Sequence, residues 1–335
     1  MSDFIIIGEN IHTTRSVKRG GIRTSLVDGK EVLIFNKKKD TFDYMEIPEV
    51  FVNTQPYQQG QLKHFMIAIW QGINGDQERK NQGISYIKSE IKRQINNGAA
   101  FLDINVDEYS YKLDQQITAM KWVVDIVKEF SDVPLSVDSS NMDIIKEGLI
   151  EYNNIKRPLV NSLSLERVDL LDIILEQNCK VVVSAASESS MPESSDERII
   201  NLSKMMDISL SKGVKEEDIF IDPLIFPISV ASNYGKDALE AIKKIRNIWP
   251  KVNITGGMSN ISFGLPKRRL INDVFIHLAI KNGANSGIIN PIESKLDRII
   301  NMDQNLNQYK ITKNMLEGND EFCTDYLTAY RENKL

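Results

Sequence analysis

The stretch Ala100-Phe101-Leu102-Asp103-Ile104-Asn105-Val106 is mainly apolar and carries an acid and an amide towards its C-terminal end. An apolar run of this length is typical of a strand that is buried on both faces of a parallel sheet. Seven further segments predict strands, and longer stretches with helical periodicity separate most of them. These segments are residues 4–8, 134–138, 158–161, 180–185, 219–221, 253–258 and 286–290.

The intervening stretches predict helices over residues 84–97, 237–249 and 266–282. In the last of these, Pro266 suits a first helical turn. Eight alternating units predict an α/β protein with the fold of a (β/α)₈ TIM barrel, whose typical length is about 250 residues. A doubly wound open sheet is the alternative, but residues 8–12 are not the glycine-rich phosphate turn that usually follows its first strand.

The length beyond a typical barrel is concentrated between the first two predicted strands. We expect one domain over residues 1–335, with a long insertion at residues 15–76 after the first strand. The insertion's predicted elements are a β-hairpin of residues 31–36 and 41–47 around the charged turn 37–40, and a short amphipathic helix over 61–71. One interpretation is a tolerated surface insertion. The other is a lid or docking lobe at the mouth of the barrel.

Composition excludes several classes of protein. Forty-one basic and 46 acidic side chains leave a net charge of −5, which argues against a protein that binds nucleic-acid backbones. The apolar runs are too short to span a membrane, and Met1-Ser2-Asp3 leads into a strand without the features of a signal peptide. Two cysteines, Cys179 and Cys323, cannot build a disulfide framework or a thiolate metal cage. We therefore expect a cytoplasmic protein with no membrane or nucleic-acid partner.

Acids, amides and serines lie at or just beyond the end of most predicted strands, where barrel enzymes carry their chemistry. They are Glu9, Asn10, Asp103, Asn105, Asp138, Ser139, Asn141, Asn161, Ser162, Ser184, Ser187, Asp222, Ser259, Asn260 and Asn290. Several of them fit helix N-caps. Asp103, Asp138 and Asp222 lie in apolar strand ends, where an unpaired charge is costly, and this favours a functional role.

The same strand ends lack the residues of several common active sites. The three histidines are scattered, so no zinc site is expected, and neither a Gly-x-Ser-x-Gly turn nor a strand-end lysine is present. An all-oxygen Mg²⁺ site built from Asp103, Asp138 and Asp222 stays open. Carboxylates and amides without phosphate-binding glycines suit a neutral heterocycle rich in N–H groups, such as a reduced pterin.

Six motifs, in chain order, resemble those of the pterin-binding methyltransferases. They are residues 5–11, 101–108, 134–141, 160–162, 221–227 and 257–266, the last followed by Arg268. The most specific is Gly257-Met258-Ser259-Asn260-Ile261-Ser262-Phe263-Gly264-Leu265-Pro266. It resembles the methyltetrahydrofolate:corrinoid protein methyltransferases and the folate-binding module of cobalamin-dependent methionine synthase.

This resemblance implies a homodimeric barrel that moves the N5-methyl group of methyltetrahydrofolate, or a related tetrahydropterin, to the cobalt of a separate corrinoid protein. Matched by motif, Asn260 would be the catalytic residue, hydrogen-bonding N5 in the transition state. The pterin-binding residues would be Asp138, Asn161 and Asp222 at the ring edge, Ser259 and Arg268 nearby, and Asp103 and Asn105 in a supporting role.

Two departures from the pattern accompany the resemblance. His12 stands where relatives often carry an asparagine, and the insertion has no counterpart. The chain also has no Asp-x-His-x-x-Gly segment for binding a corrinoid of its own. A dihydropteroate synthase is an alternative, although its late-strand lysine and final Arg-x-His are replaced by Ser259-Asn260 and Asn290-Pro291. A non-catalytic pterin or folate carrier is another.

Overall fold

We analysed a computed structural model that describes residues 4–39 and 41–335. Met1 to Asp3 and Asp40, which belongs to the predicted charged turn, lie outside the described residues. The strands are β1 (Ile5–His12), β2 (Val17–Lys18), β3 (Thr24–Val27), β4 (Lys30–Phe35), β5 (Asp43–Glu46), β6 (Gln61–Leu62), β7 (Ala99–Asn105), β8 (Leu135–Asp138), β9 (Leu159–Leu163), β10 (Lys180–Ser184), β11 (Ile219–Asp222), β12 (Asn253–Ile254) and β13 (Ser286–Ile289).

Thirteen α-helices alternate with these strands or follow them in the described chain. They are α1 (Glu49–Val52), α2 (Gln55–Gln58), α3 (His64–Asn74), α4 (Gln77–Ile95), α5 (Leu113–Phe130), α6 (Met142–Tyr152), α7 (Leu170–Glu176), α8 (Ser195–Ser211), α9 (Tyr234–Ile248), α10 (Arg268–Lys281), α11 (Leu296–Ile300), α12 (Asn307–Leu316) and α13 (Thr324–Arg331). None of them, within the described residues, has the length and apolar character needed to cross a membrane.

Eight strands form one sheet in the order β12-β11-β10-β9-β8-β7-β1-β13. At the β12–β13 seam, Gly257 and Ile288 form a parallel bridge, in which the Ile288 N–H donates to the Gly256 carbonyl at 2.9 Å. The fold is thus a nearly closed (β/α)₈ barrel, as the sequence predicts. Its strands are rich in β-branched residues; Val181, Val182 and Val183 of β10, for example, have no solvent-exposed area.

The chain divides into two compact units. The N-terminal unit is Gly8–Pro158, and the C-terminal unit is Leu159–Leu335 together with the segment that ends at Ile7. In the C-terminal unit, the amphipathic helix α9 buries Leu239, Ile242 and Ile245, which explains their helical spacing in the sequence. The single domain over residues 1–335 stays a prediction.

One predicted strand, residues 253–258, is wrong over most of its length. The strand β12 contains only Asn253 and Ile254, and Met258–Ser262 forms a 3₁₀ helix. Between them stand Gly256, with φ of 152°, and Gly257. The strand is interrupted here because neither glycine has a side chain to pack and Gly256 adopts a conformation that residues with side chains rarely take. Pro266 is also outside its predicted helix, because α10 begins at Arg268.

Between β1 and α4, the described residues of the N-terminal unit contain the strands β2 to β6 and the helices α1 to α3. The antiparallel strands β4 and β5 lie at the predicted hairpin, and a third strand, β3, pairs with β4. The buried Tyr86 and Glu90 of α4 both accept hydrogen bonds from Arg23, at 2.5 and 2.7 Å. His64 of α3 also contacts the Tyr86 hydroxyl, at 2.8 Å. This polar network attaches the segment between β1 and α4 to that helix.

The close packing of α3 on α4 depends on Gly83. A Cβ atom at this position would lie 2.5 Å from the Ala68 carbonyl oxygen and 3.2 Å from the Gly72 amide nitrogen. Gly83→Ala should therefore lower the free energy of unfolding by about 1–3 kcal/mol, despite the roughly 1 kcal/mol that alanine gains in an unstrained helix. Urea denaturation would measure the change. Ser85→Ala, on the exposed side of α4, is the matched control, and equal stability of the two variants would contradict the prediction.

Candidate functional site

In the N-terminal unit, Asp103 is paired with the neighbouring strand. Asp103 and Ser136 are opposite each other in the β7–β8 register, and both are buried. The Ser136 hydroxyl donates to Asp103 Oδ1 at 2.6 Å. A carboxylate that accepts such a hydrogen bond is held in one orientation inside the barrel wall.

The next pair along the same two strands is Asn105 and Asp138. Asn105 Nδ2 donates to Asp138 Oδ2 at 3.0 Å, and Asn105 Oδ1 accepts from the Asp107 amide at 3.0 Å. Asp107 in turn accepts from the Ser139 and Ser140 hydroxyls at 2.6 and 2.8 Å. The loops after β7 and β8 are thereby linked, and the Asp138 carboxylate is oriented by its neighbour. Asp107 was not singled out from the sequence, because its partners lie more than 30 residues away.

His12, the departure noted in the first strand, is near this pair. Its Nε2 is 3.8 Å from Asp138 Oδ2, while its Nδ1 accepts from the Thr14 amide at 3.2 Å. Burial and then the charge of Arg15 lower the pKa of His12 to about 4, so the ring is neutral at pH 7. Because Nδ1 is an acceptor, we infer that Nε2 carries the proton and is directed towards the Asp138 carboxylate.

In the C-terminal unit, Asp222 ends β11 and is followed by a tight turn. Asp222 Oδ1 accepts from the Leu224 amide at 2.7 Å, and Leu224 has a left-handed φ of 64°. Burial raises the pKa of Asp222 to about 6, partly offset by the Leu224 hydrogen bond and by the charge of Arg198. A carboxylate that is desolvated in this way and still partly exposed is suited to accept hydrogen bonds from a ligand.

Asp222 and Asn260 each lie against one member of the glycine pair that interrupts β12. A Cβ atom on Gly256 would lie 3.0 Å from Asp222 Oδ1, and one on Gly257 would lie 2.9 Å from Asn260 Nδ2. The bare backbone of the two glycines thus leaves room for both polar side chains. The acid and the amide, which follow different predicted strands, thus both lie against this glycine pair.

The turn that carries Asn260 is braced by Arg268. Arg268 Nη2 donates to the Ser259 carbonyl at 2.9 Å, and its Nε donates to Ser262 Oγ at 3.0 Å. The guanidinium carbon is 5.9 Å from the centroid of the exposed Phe263 ring. Arg268 therefore acts on Asn260 through the backbone, and its contact with a pterin, like that of Ser259, stays a prediction.

Asn161 lies in β9, opposite Val182 of β10. The register then shifts, so that Leu163 is opposite Val183 and Ser162 is the extra residue of a β-bulge. Bulges redirect side chains and are frequent next to active sites. No cluster of three or more His, Cys, Asp or Glu side chains that could hold a metal ion occurs among residues 4–39 and 41–335.

Comparison with known proteins gives the family. The family described as pterin binding enzymes matches residues 76–290. The chain belongs to the pterin-binding enzymes. A relative of this pterin-binding enzyme, the methylcorrinoid:tetrahydrofolate methyltransferase of Eubacterium limosum, is 27% identical over 282 residues. The match covers 81% of this chain and 98% of the relative.

Solved structures agree on the fold of this pterin-binding enzyme. Dihydropteroate synthase from Stenotrophomonas maltophilia is 13% identical, with a TM-score of 0.53, over 67% of this chain and 86% of that one. The Xanthomonas albilineans enzyme in complex with 7,8-dihydropteroate is 15% identical, with a TM-score of 0.52, over 65% and 83% of the two chains. At such identities the likeness shows the barrel fold alone.

Proposed function

We propose that this pterin-binding enzyme transfers the N5-methyl group between methyltetrahydrofolate, or a related tetrahydropterin, and the cobalt of a separate corrinoid protein. The observation that carries the proposal is the similarity to the Eubacterium limosum methyltransferase along 98% of that protein's length. The motifs around Asp222 and Asn260 lie inside the matched family region, residues 76–290.

The chemistry of the side chains supports this function. A tertiary amine nitrogen is a poor leaving group, so N5 must gain a proton or a strong hydrogen bond as its bond to the methyl carbon breaks. We propose that Asn260 supplies this hydrogen bond, because a carboxamide offers both a donor and an acceptor without changing its own charge. The cobalt acts as the other substrate, so the enzyme contributes positioning and needs no nucleophile of its own.

The other candidate residues would bind the ring. We propose that the Asp138 and Asp222 carboxylates accept hydrogen bonds from the pterin's amino group and ring N–H, and that the Asn161 carboxamide donates to its carbonyl oxygen. Asp103 and Asn105 would order this set, through the contacts with Ser136 and Asp138 described above. Homodimerisation, a cytoplasmic location and a corrinoid carried by a partner protein belong to the same proposal.

A direct assay tests the function. Purified protein mixed with methyltetrahydrofolate and Co(I) cobalamin should consume the Co(I) absorption and form methylcobalamin, with one tetrahydrofolate released per methyl group. The reverse reaction, from methylcobalamin and tetrahydrofolate, should also be catalysed. Saturable pterin binding without methyl transfer to free or protein-bound cobalamin would instead identify a carrier. Condensation of a pterin pyrophosphate with 4-aminobenzoate would identify a dihydropteroate synthase.

A further inference from the structure

Arg198, on helix α8, is a buried cation that the function proposed above does not use. Its side chain has no solvent-exposed area. Arg198 Nε donates to the Pro223 carbonyl at 2.7 Å, and its Nη2 donates to the Leu224 carbonyl at 3.3 Å. Arg198 Nη1 is buried and has no hydrogen-bond partner among the described residues. Burying a charge with so few partners is costly, so a leucine or methionine would serve better if packing were its only role.

The two carbonyls that Arg198 holds belong to the turn behind Asp222. Leu224 adopts a left-handed conformation that disfavours residues with a side chain. In that conformation its N–H is directed at Asp222 Oδ1. The contacts are thus connected. The Arg198 guanidinium holds the two carbonyls and with them the turn, and the Leu224 N–H of that turn holds the Asp222 carboxylate in position.

Helix α8 is itself held firmly at this end. The Ser194 hydroxyl caps the helix by accepting from the Glu197 amide at 3.2 Å, and Glu197 Oε2 accepts from the Glu193 amide at 2.7 Å. One turn further along, Asn201 Nδ2 donates to the Ala185 carbonyl just after β10, at 3.0 Å. The same helix face thus anchors the loops after two consecutive barrel strands.

We propose that Arg198 is a positioning residue for pterin recognition, holding the Asp222 carboxylate in its binding orientation and favouring its charged form. The inference rests on the proposed function, because it takes Asp222 as a hydrogen-bond acceptor for the pterin. With Oδ1 engaged by Leu224, Oδ2 is the oxygen that would accept from the ligand.

The charged groups around Arg198 and Asp222 determine how the protonation of Asp222 should depend on pH. Arg198 is faced by Asp237 and Tyr234 of α9, by Asp222 of β11 and by Glu197 of its own helix, and Arg198 is the charged group that faces Asp222. Since the guanidinium lowers the pKa of Asp222 while burial raises it, removing the guanidinium should raise this pKa further.

The experiment measures the dissociation constant of methyltetrahydrofolate by calorimetry between pH 5 and pH 8. In the wild type, binding should weaken as the pH falls through about 6, where Asp222 becomes protonated. Arg198→Met should weaken binding at pH 7.5 by about 10-fold, a loss seen when groups that orient metal ligands are removed. Its pH midpoint should move upward. Arg198→Lys keeps the positive charge but loses the planar guanidinium that donates to two carbonyls. It should therefore weaken binding while the pH midpoint of binding stays unchanged.

Asn201→Ala is the matched control, because it removes the other loop anchor of the same helix face. It should leave the pH midpoint of binding unchanged, whatever it does to stability. Wild-type affinity and midpoint in both Arg198 variants would overturn the inference. If Arg198→Met does not fold, wild-type affinity in Arg198→Lys would overturn it alone.

A ligand-free measurement separates this inference from the proposed function. The pH dependence of unfolding would be compared for the wild type, Asp222→Asn, Arg198→Lys and the double variant, with Arg198→Met added if it folds. Coupling between the two positions should be non-zero, because they share one turn. Additive effects would refute the positioning role whether or not the pterin binds. If the two positions are coupled but the wild type binds no methyltetrahydrofolate, the result would instead refute the proposed function and the part of the inference that concerns the pterin.

Discussion

Asn260→Ala should lower the turnover of methyl transfer by about 10²–10³-fold, the loss typical of removing one hydrogen-bond donor that acts in a transition state. The dissociation constant for methyltetrahydrofolate should change much less. The reason is that N5 gains its hydrogen bond mainly while the bond to the methyl carbon breaks, so the amide contributes more to the transition state than to the bound substrate.

Stopped-flow spectroscopy of the cobalt would give the turnover, and calorimetry would give the dissociation constant. Asn307→Ala, at an exposed position that begins α12, is the matched control and should behave as the wild type. Unchanged turnover in Asn260→Ala would remove Asn260 from catalysis. An equal loss of binding and turnover would make Asn260 a binding residue instead.

Replacing Asp222 with asparagine should weaken pterin binding at pH 7 by about 1–3 kcal/mol if the carboxylate accepts a buried N–H of the ligand. The same substitution should make the free protein more stable at that pH. Burial raises the pKa of Asp222 from 3.8 to about 6, so the folded protein binds more protons than the unfolded chain between these values. The free energy of unfolding therefore falls as the pH rises from about 4 to 6, a loss that the neutral asparagine avoids.

The amide can preserve the local fold because its oxygen can still accept from the Leu224 N–H. Urea denaturation between pH 4 and pH 8 and calorimetry at pH 7 would test both parts. Asp207→Asn, on the exposed side of α8, is the control for removing one negative charge. A variant that binds as tightly as the wild type would exclude Asp222 from the pterin site. One that is no more stable at pH 7 would contradict the raised pKa.

The barrel strands were predictable because a strand that is buried on both faces has a signature in a short stretch of sequence, namely an apolar run with polar residues at its end. Strand β10 and strand β7 lie within one residue of their predicted bounds at either end. The hairpin strands β4 and β5 were predictable for a similar reason, because they are neighbours in the chain and a charged turn separates them. The strand β3 was missed because it has little hydrophobic pattern of its own and is defined by its pairing with β4.

The candidate residues of the C-terminal unit show a similar division. Asp222 and Asn260 are predictable because each lies at or just beyond the end of a predicted strand, and the structure places both beside the glycine pair. Arg198 is not predictable, because an arginine that directly follows Ser195-Asp196-Glu197 near the start of a helix reads as a solvent-exposed residue. Its burial results from the turn after β11, which is more than 20 residues away in the chain.

The amino-acid sequence by itself determined the alternation of strands and helices and the residue types at the strand ends. These features depend on hydrophobic periodicity and on turn residues, which involve only residues close together in the chain. Tertiary structure alone decided the contacts of those residues: Asn105 with Asp138, Asp103 with Ser136, and Arg198 behind Asp222. Such contacts join residues that are 24 or more positions apart. These residues contribute free energy by burial and pairing only when the folded strands are side by side. A local sequence pattern therefore cannot predict the contacts.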